Sequence, residues 1–408
     1  MKTPRQLPSF TVSKKSERKL KAGHPWVYDN EILSAPDKAE NGSVVDVLSE
    51  KGSYLGSGLL SEKSKIRIRL ISTNANDRFD ESFWHRAVKY AIDYRLAVMP
   101  GDFSSCRLVF GEADRLPGLT VDKYGDILSV QVLSVGIERV KDIIYKALVS
   151  ELADHGVQVR GIMERNDVAI RELEGLEQYK GWYKADFLPA PPSPVTEITE
   201  NGIIYEVDVL EGQKTGFFLD QKYNRLAAAK IAKGKRVLDC FTHTGSFALN
   251  AAKGGASHVT AVDVSQLAVD TARENAKRNG LLDVMDFVCE DVFELLPRLK
   301  EEGAKYDFII LDPPAFTKSR KTIGSAERGY KEINLRAMRL LPRGGFLATA
   351  SCSHFMDSER FLRMVKSAAD DAGVTLRLIE ARHQAPDHPI LMGVEETDYL
   401  KFYLFQII

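Results

Sequence analysis

Val237-Leu238-Asp239-Cys240-Phe241-Thr242-His243-Thr244-Gly245-Ser246-Phe247 reads as a short apolar strand, a polar turn holding one glycine, and the first residues of a helix. Downstream of it the same alternation repeats to the last residue. Strands are predicted at 236–241, 259–264, 285–289, 308–311, 345–351, 375–381 and 399–407, with helices between most of them, including 267–279 and 358–372. Alternating strands and helices of this kind build a parallel sheet covered on both faces, so a seven-stranded doubly wound α/β domain is expected. No helix fits between the last two strands, which predicts an antiparallel hairpin at one edge of the sheet.

Upstream, Asn201-Gly202 marks a hairpin that opens this domain. Before it, Leu188-Pro189-Ala190-Pro191-Pro192-Ser193-Pro194 places four prolines in seven residues, a stiff connector that fits neither a helix interior nor a central strand. Residues 73–190 read as an α+β domain: an amphipathic helix over 81–98 stopped by Pro100-Gly101, a hairpin across Lys123-Tyr124-Gly125-Asp126, and a second helix over 137–152. Residues 1–72 read as a small β-barrel of short strands. A length of 408 residues predicts two or three domains, and the segment pattern divides the chain into 1–72, 73–190 and 191–408.

Composition excludes several classes. Hydrophobic residues make up 44% and charged residues 28%, the ordinary globular balance. Neither a long apolar span nor a secretory leader is legible, and a cytoplasmic address is expected. The four cysteines, Cys106, Cys240, Cys289 and Cys352, are too scattered for a disulfide framework or a zinc site, so reduced thiols and no metal are expected. Cys240 and Cys289 lie in apolar strand runs and read as core.

Lys plus Arg number 56 against 57 Asp plus Glu, so net charge gives no reason to expect nucleic acid, but its distribution does. From Met1 to Tyr28 there are seven basic residues (Lys2, Arg5, Lys14, Lys15, Arg18, Lys19, Lys21) against the single acid Glu17, a local excess suited to phosphates. In Lys65-Ile66-Arg67-Ile68-Arg69-Leu70 strict alternation puts Lys65, Arg67 and Arg69 on one strand face. That face suits either RNA or a charged edge that deters strand pairing.

The glycine turn narrows the ligand. A pyrophosphate favours several glycines, whereas this turn has only Gly245 and places the Asp239 carboxylate nearby. A cationic ligand without phosphate fits better. In S-adenosylmethionine, the amino group would pair with Asp239 and the carboxylate would meet amides near Gly245. Asp263 ends the second strand, where ribose hydroxyls are held, and Asp291 follows the third, where an adenine amine would sit. The expected cofactor set is Asp239, Phe241, Thr242, Thr244, Gly245, Ser246, Phe247, Asp263, Val264, Ser265, Asn275, Asp291, Val292 and Asp312.

Asp239 to Phe247, Asp263 and Asp291 resemble the first three motifs of class I methyltransferases. Across the whole chain the sequence resembles the bacterial ribosomal RNA large subunit methyltransferase I family, which makes 5-methylcytosine in 23S rRNA. The resemblance rests on Gly23-His24-Pro25-Trp26-Val27-Tyr28 with Glu31-Ile32, and on Gly111-Glu112-Ala113-Asp114-Arg115-Leu116-Pro117-Gly118-Leu119-Thr120-Val121-Asp122. It continues through Lys214-Thr215-Gly216-Phe217-Phe218-Leu219-Asp220-Gln221-Lys222-Tyr223-Asn224-Arg225, Leu311-Asp312-Pro313-Pro314-Ala315-Phe316 and Ser351-Cys352-Ser353. It implies a PUA-like RNA-binding first domain, a ribosomal RNA partner, a homodimer, and Phe218, Asp220, Gln221 and Arg225 enclosing the cofactor. Trp26 and His24 would either stack on RNA or pack the barrel.

The strand ending at Leu311 delivers Asp312-Pro313-Pro314, and the next ends in Ser351-Cys352-Ser353, so in a doubly wound sheet both open onto the cofactor edge. Cytosine C5 becomes nucleophilic when a thiolate adds to C6, which assigns Cys352 as nucleophile. Asp312 would share a proton with N3, and the Pro313 carbonyl would accept from the exocyclic amine. Pro314 stands where many RNA cytosine-5 methyltransferases carry a second cysteine, so a two-cysteine release is not expected. The alternatives are purine nitrogen methylation, weakened because Ala315 displaces the aromatic to Phe316, and an idle RNA-binding assembly factor, against which Asp239, Asp263 and Asp312 are all present.

Overall fold

The computed structural model describes residues 6–189, 193–317 and 322–408. Lys2, Arg5 and the Pro191-Pro192 part of the connector lie outside the described residues. The chain divides into two compact units, one of residues 1–198, 206–219 and 386–397, the other of 199–205, 220–385 and 398–408.

The first unit opens with β1 (Ser9–Val12), α1 (Lys14–Lys21), β2 (Trp26–Tyr28), β3 (Ile32–Ser34), β4 (Val44–Ser49), β5 (Tyr54–Leu60) and β6 (Ile66–Ser72). These strands form one sheet in the order β2-β6-β5-β4-β1-β3, around a core that includes Val12, Val27, Val45, Val47 and Ile68. α1 was not expected. Ser13 caps it by accepting from Ser16 N, and only Ser16 and Leu20 of its eight residues are buried, too narrow an apolar stripe to show as periodicity. Next come α2 (Glu81–Val98), β7 (Ser105–Phe110), β8 (Leu119–Tyr124), β9 (Ile127–Val132), α3 (Val135–Asp154), β10 (Gly161–Asn166) and β11 (Tyr179–Trp182). The strands form a sheet in the order β11-β10-β9-β8-β7, and Asp80 and Ser134 cap the helices.

The cationic strand face needs correction. Arg69 is buried and donates to Glu174 at 2.8 Å, while Arg67 holds Asp29 and the carbonyls of Ser61 and Glu62. Of the three, Lys65 alone is exposed. A guanidinium desolvated without a partner is costly, and Arg69 is accordingly paired with the buried Glu174, while the half-buried Arg67 is held by the surface acid Asp29.

A hairpin of β12 (Val195–Glu200) and β13 (Ile203–Asp208) is followed by α4 (Lys222–Ala232) and β14 (Arg236–Cys240). Then come α5 (Ser246–Lys253), β15 (His258–Asp263), α6 (Gln266–Arg278), β16 (Met285–Cys289), α7 (Val292–Glu301) and β17 (Phe308–Leu311). α8 (Ile323–Leu340), β18 (Phe346–Ser351), α9 (Ser358–Ala372), β19 (Leu376–Arg382) and β20 (Lys401–Ile407) complete the chain. The seven strands run β16-β15-β14-β17-β18-β20-β19, with β20 antiparallel to both its neighbours. Strand order reverses between β14 and β17, and at such a switch point the loops diverge to leave a crevice at the carboxyl ends. Cys289 is a second correction: it is exposed, because β16 is the edge strand and Cys289 its last residue. No helix among the described residues is long and apolar enough to cross a membrane.

Candidate active site

The turn after β14 is wound through three left-handed residues, Phe241, His243 and Gly245, with φ of 66°, 51° and 82°. Only the last is a glycine, and each of the others costs about 1–2 kcal/mol. Strain of this kind persists where surrounding bonds impose it. Here Asp263 Oδ2 accepts from His243 N at 2.9 Å and Asn275 Nδ2 donates to the Thr244 carbonyl at 3.0 Å. At Gly245 an added Cβ would lie 3.0 Å from Ala272 Cβ, so α6 packs directly on the turn.

Asp239 is buried and accepts through Oδ2 from Thr242 Oγ1 at 2.7 Å and Ala248 N at 2.9 Å. Its Oδ1 and the Thr244 hydroxyl are buried without hydrogen-bond partners among the described residues. Burial, with Asp312 and Asp263 adding repulsion, raises the Asp239 carboxyl to about 8. An unsatisfied acid at a switch point fits a ligand that brings an ammonium group, as S-adenosylmethionine does. Asp263 also accepts from Ser265 N at 2.9 Å, and Asp291 caps α7 by accepting from Phe293 N.

At the ends of β17 and β18 the two chemical loops are tied together. Ser353 Oγ donates to the Thr317 carbonyl at 3.1 Å, bridging the segment after Cys352 to the segment after Asp312-Pro313-Pro314. Ser351 Oγ donates to Tyr330 Oη at 3.0 Å, and Lys401 Nζ donates to the Ser353 carbonyl at 2.6 Å. Cys352, between these clamped serines, is half-buried. Gln221 Nε2 donates to Asp312 Oδ1 at 3.0 Å, and Asn224 donates to Gln221 Oε1 at 2.7 Å.

The S-adenosylmethionine-dependent methyltransferase profile matches residues 168–406, and a PUA-like domain profile matches residues 10–73. A curated relative from Klebsiella pneumoniae (strain 342), ribosomal RNA large subunit methyltransferase I, is 38% identical over 98% of both chains. One of the same name from Aliivibrio fischeri (strain MJ11) is 40% identical over 98% of this chain and 99% of its own. This chain belongs to the ribosomal RNA large subunit methyltransferase I family. Its cofactor is S-adenosylmethionine. Among solved structures, SMU.776 in complex with SAH aligns with TM-score 0.81 at 23% identity, covering 98% of this chain and 99% of that one, a likeness in fold.

Against this family frame the expected site residues separate. Asp239, Thr242, Thr244, Gly245, Asp263, Val264 and Ser265 belong to β14, β15 and the loops that follow them, Ser246 opens α5, and Phe241 shapes the turn. Asn275 braces the turn from α6. Two side chains expected at the ligand point inward instead: Phe247 stacks on Phe402, and Val292 packs in the core beneath α7. Arg225 is a further correction. It is fully buried and forms a bidentate pair with Glu200 at 2.6 and 2.8 Å, so it braces α4 against the hairpin. Asp220 accepts from Tyr399 Oη at 2.6 Å. Phe218 belongs to the first unit, under the Lys214 ammonium at 4.5 Å.

Sequence reasoning missed Tyr330, Asn224, Thr317 and Lys401. Lys401 had a legible signal, a lone lysine inside Tyr399-Leu400-Lys401-Phe402-Tyr403-Leu404-Phe405. In the first unit, Trp26 is half-buried with Nε1 donating to Glu112 at 2.9 Å, and His24 lies 3.5 Å from Glu396. Lys19 is held by Glu31 at 2.8 Å, whereas Lys14, Lys15 and Arg18 are exposed.

Proposed function

We propose that this methyltransferase acts on large-subunit ribosomal RNA and forms 5-methylcytidine through a covalent adduct between Cys352 and cytosine C6. The observation that carries this reading is the half-buried thiol on a loop hydrogen-bonded to the segment that follows Asp312-Pro313-Pro314. The names of the relatives support the substrate class.

S-adenosylmethionine, when bound, supplies a methyl group on a positive sulfur, and Asp239, the amides around Gly245, and Asp263 would hold it. Cys352 adds to C6, the C5=C6 electron pair shifts toward C5, and Asp312, oriented by Gln221, hands a proton to N3. The Pro313 carbonyl accepts from the exocyclic amine and selects cytosine over uracil. Once C5 carries the methyl group, a water or carboxylate acting as base takes the C5 proton, the C5=C6 double bond re-forms as the C6–S bond breaks, and N3 returns its proton to Asp312, leaving Cys352 and Asp312 as they began.

Purine nitrogen methylation needs an aromatic free to stack on the base. Phe316 is half-buried, with its ring centroid 4.6 Å from that of Tyr330 and 6.0 Å from that of Phe293, so part of its face is taken up by packing against the core. Nucleoside mass spectrometry of undermethylated ribosomal RNA treated with the protein is expected to show 5-methylcytidine; methylguanosine or methyladenosine would reject the reading. Cys352→Ser is expected to abolish turnover while leaving cofactor affinity within about twofold.

A further inference from the structure

β20 begins with Lys401, paired in register with Ser351 across the antiparallel ladder to β18. Lys401 is 3% exposed, and its Nζ donates to the Ser353 carbonyl at 2.6 Å and the Tyr399 carbonyl at 2.8 Å. A buried lysine whose described hydrogen-bond acceptors are neutral carbonyls is unusual, because burial without an opposing charge disfavours the ammonium. One of those carbonyls belongs to the residue immediately after Cys352. We propose that Lys401 is a positioning residue for the thiol: its ammonium fixes the Ser351-Cys352-Ser353 loop and holds Cys352 in the reactive thiolate form. This inference rests on the reading of Cys352 as nucleophile and adds how that nucleophile is activated.

The charges around this pair are consistent with that role. Burial lowers the Lys401 ammonium to about 8, and Cys352, Asp398 and Asp357 act against that lowering. Lys401 is therefore mostly protonated at neutral pH. From α8, Tyr330 faces the same loop; burial, with Cys352 and Asp312 adding to it, raises its phenol to about 12, so it stays neutral and contributes no competing charge. A cation beside a thiol favours thiolate, the form that adds to C6. Because Lys401 is anchored by two carbonyls, this charge is already in place before substrate arrives.

The test reads the thiol directly and needs no RNA. In a Cys289→Ser background, which removes the one exposed cysteine and leaves Cys106 and Cys240 buried, iodoacetamide alkylation of Cys352 is followed by peptide mass spectrometry from pH 5 to 10. The midpoint is expected below the free-thiol value of about 8.5. Lys401→Met, which keeps the stem and removes the charge, is expected to raise it by about one unit, an about tenfold slower reaction at pH 7, and Lys401→Arg to restore it. An unchanged midpoint in Lys401→Met overturns the proposal. So does a midpoint at or above about 8.5 in the Cys289→Ser protein itself, which decides the matter should Lys401→Met not fold. If the midpoint shifts but Cys352→Ser still methylates RNA, the charge coupling stands and the nucleophile assignment fails.

Discussion

Asp239 shows how one side chain prepares a site for a ligand. Both its oxygens are out of solvent, yet only Oδ2 is satisfied, and an acid in that state stays protonated up to about pH 8. Asp239→Asn keeps the shape and removes the latent charge. It is expected to weaken S-adenosylmethionine binding about ten- to hundredfold, the range for losing a hydrogen bond to a charged group, as measured by titration calorimetry. The melting temperature without ligand should be unchanged or higher, since no buried acid is left to ionise. Loss of stability without loss of affinity would assign Asp239 to the scaffold alone. The identity of this residue was legible because a carboxylate inside an apolar strand, just before a glycine turn, is chemically odd. The roles of Phe247, Val292 and Arg225 were not, because adjacency in sequence does not say which way a side chain points.

Several elements of the second unit were legible to the residue. β16, β17 and α9 match their expected spans, and the antiparallel ending was legible in the missing crossover helix. α1 was hidden by its charge, whereas the alternation of β6 revealed the strand but suggested a free cationic face where Arg67 is paired with Asp29 and Arg69 with the buried Glu174. The Arg225–Glu200 pair, enclosed between α4 and the hairpin, gives an element-level prediction. Arg225→Ala strands a buried carboxylate and is expected to cost about 3–5 kcal/mol in urea unfolding. Adding Glu200→Ala should recover part of that loss, since the second change removes the unpaired charge. A double variant less stable than the single one would contradict the assignment of this pair as a structural brace.

At the scale of the whole chain, segments distant in sequence share a unit: residues 206–219 and 386–397 group with the first, although both are flanked by residues of the second. No periodicity reveals that exchange, because it depends on folded distances rather than neighbouring residues. The exposed cations Lys14, Lys15 and Arg18 are in the first unit, and the cofactor turn is in the second. Replacing the three with glutamate is expected to weaken RNA binding at least about tenfold and flatten its dependence on salt by about two to three in logarithmic slope. Cofactor affinity, measured in parallel by calorimetry, should not move. Unaltered RNA affinity in filter binding would remove α1 from the RNA surface.

The placement of β20 affects the order in which the protein becomes competent. It is translated after the other six strands, yet it lies between β18 and β19. While the chain is still emerging from the ribosome, β18 has no partner on that side and the loop bearing Cys352 lacks the amine that anchors it. A fusion that obstructs docking of this strand is therefore expected to loosen the loop bearing Cys352 while leaving the side chains of the cofactor turn untouched.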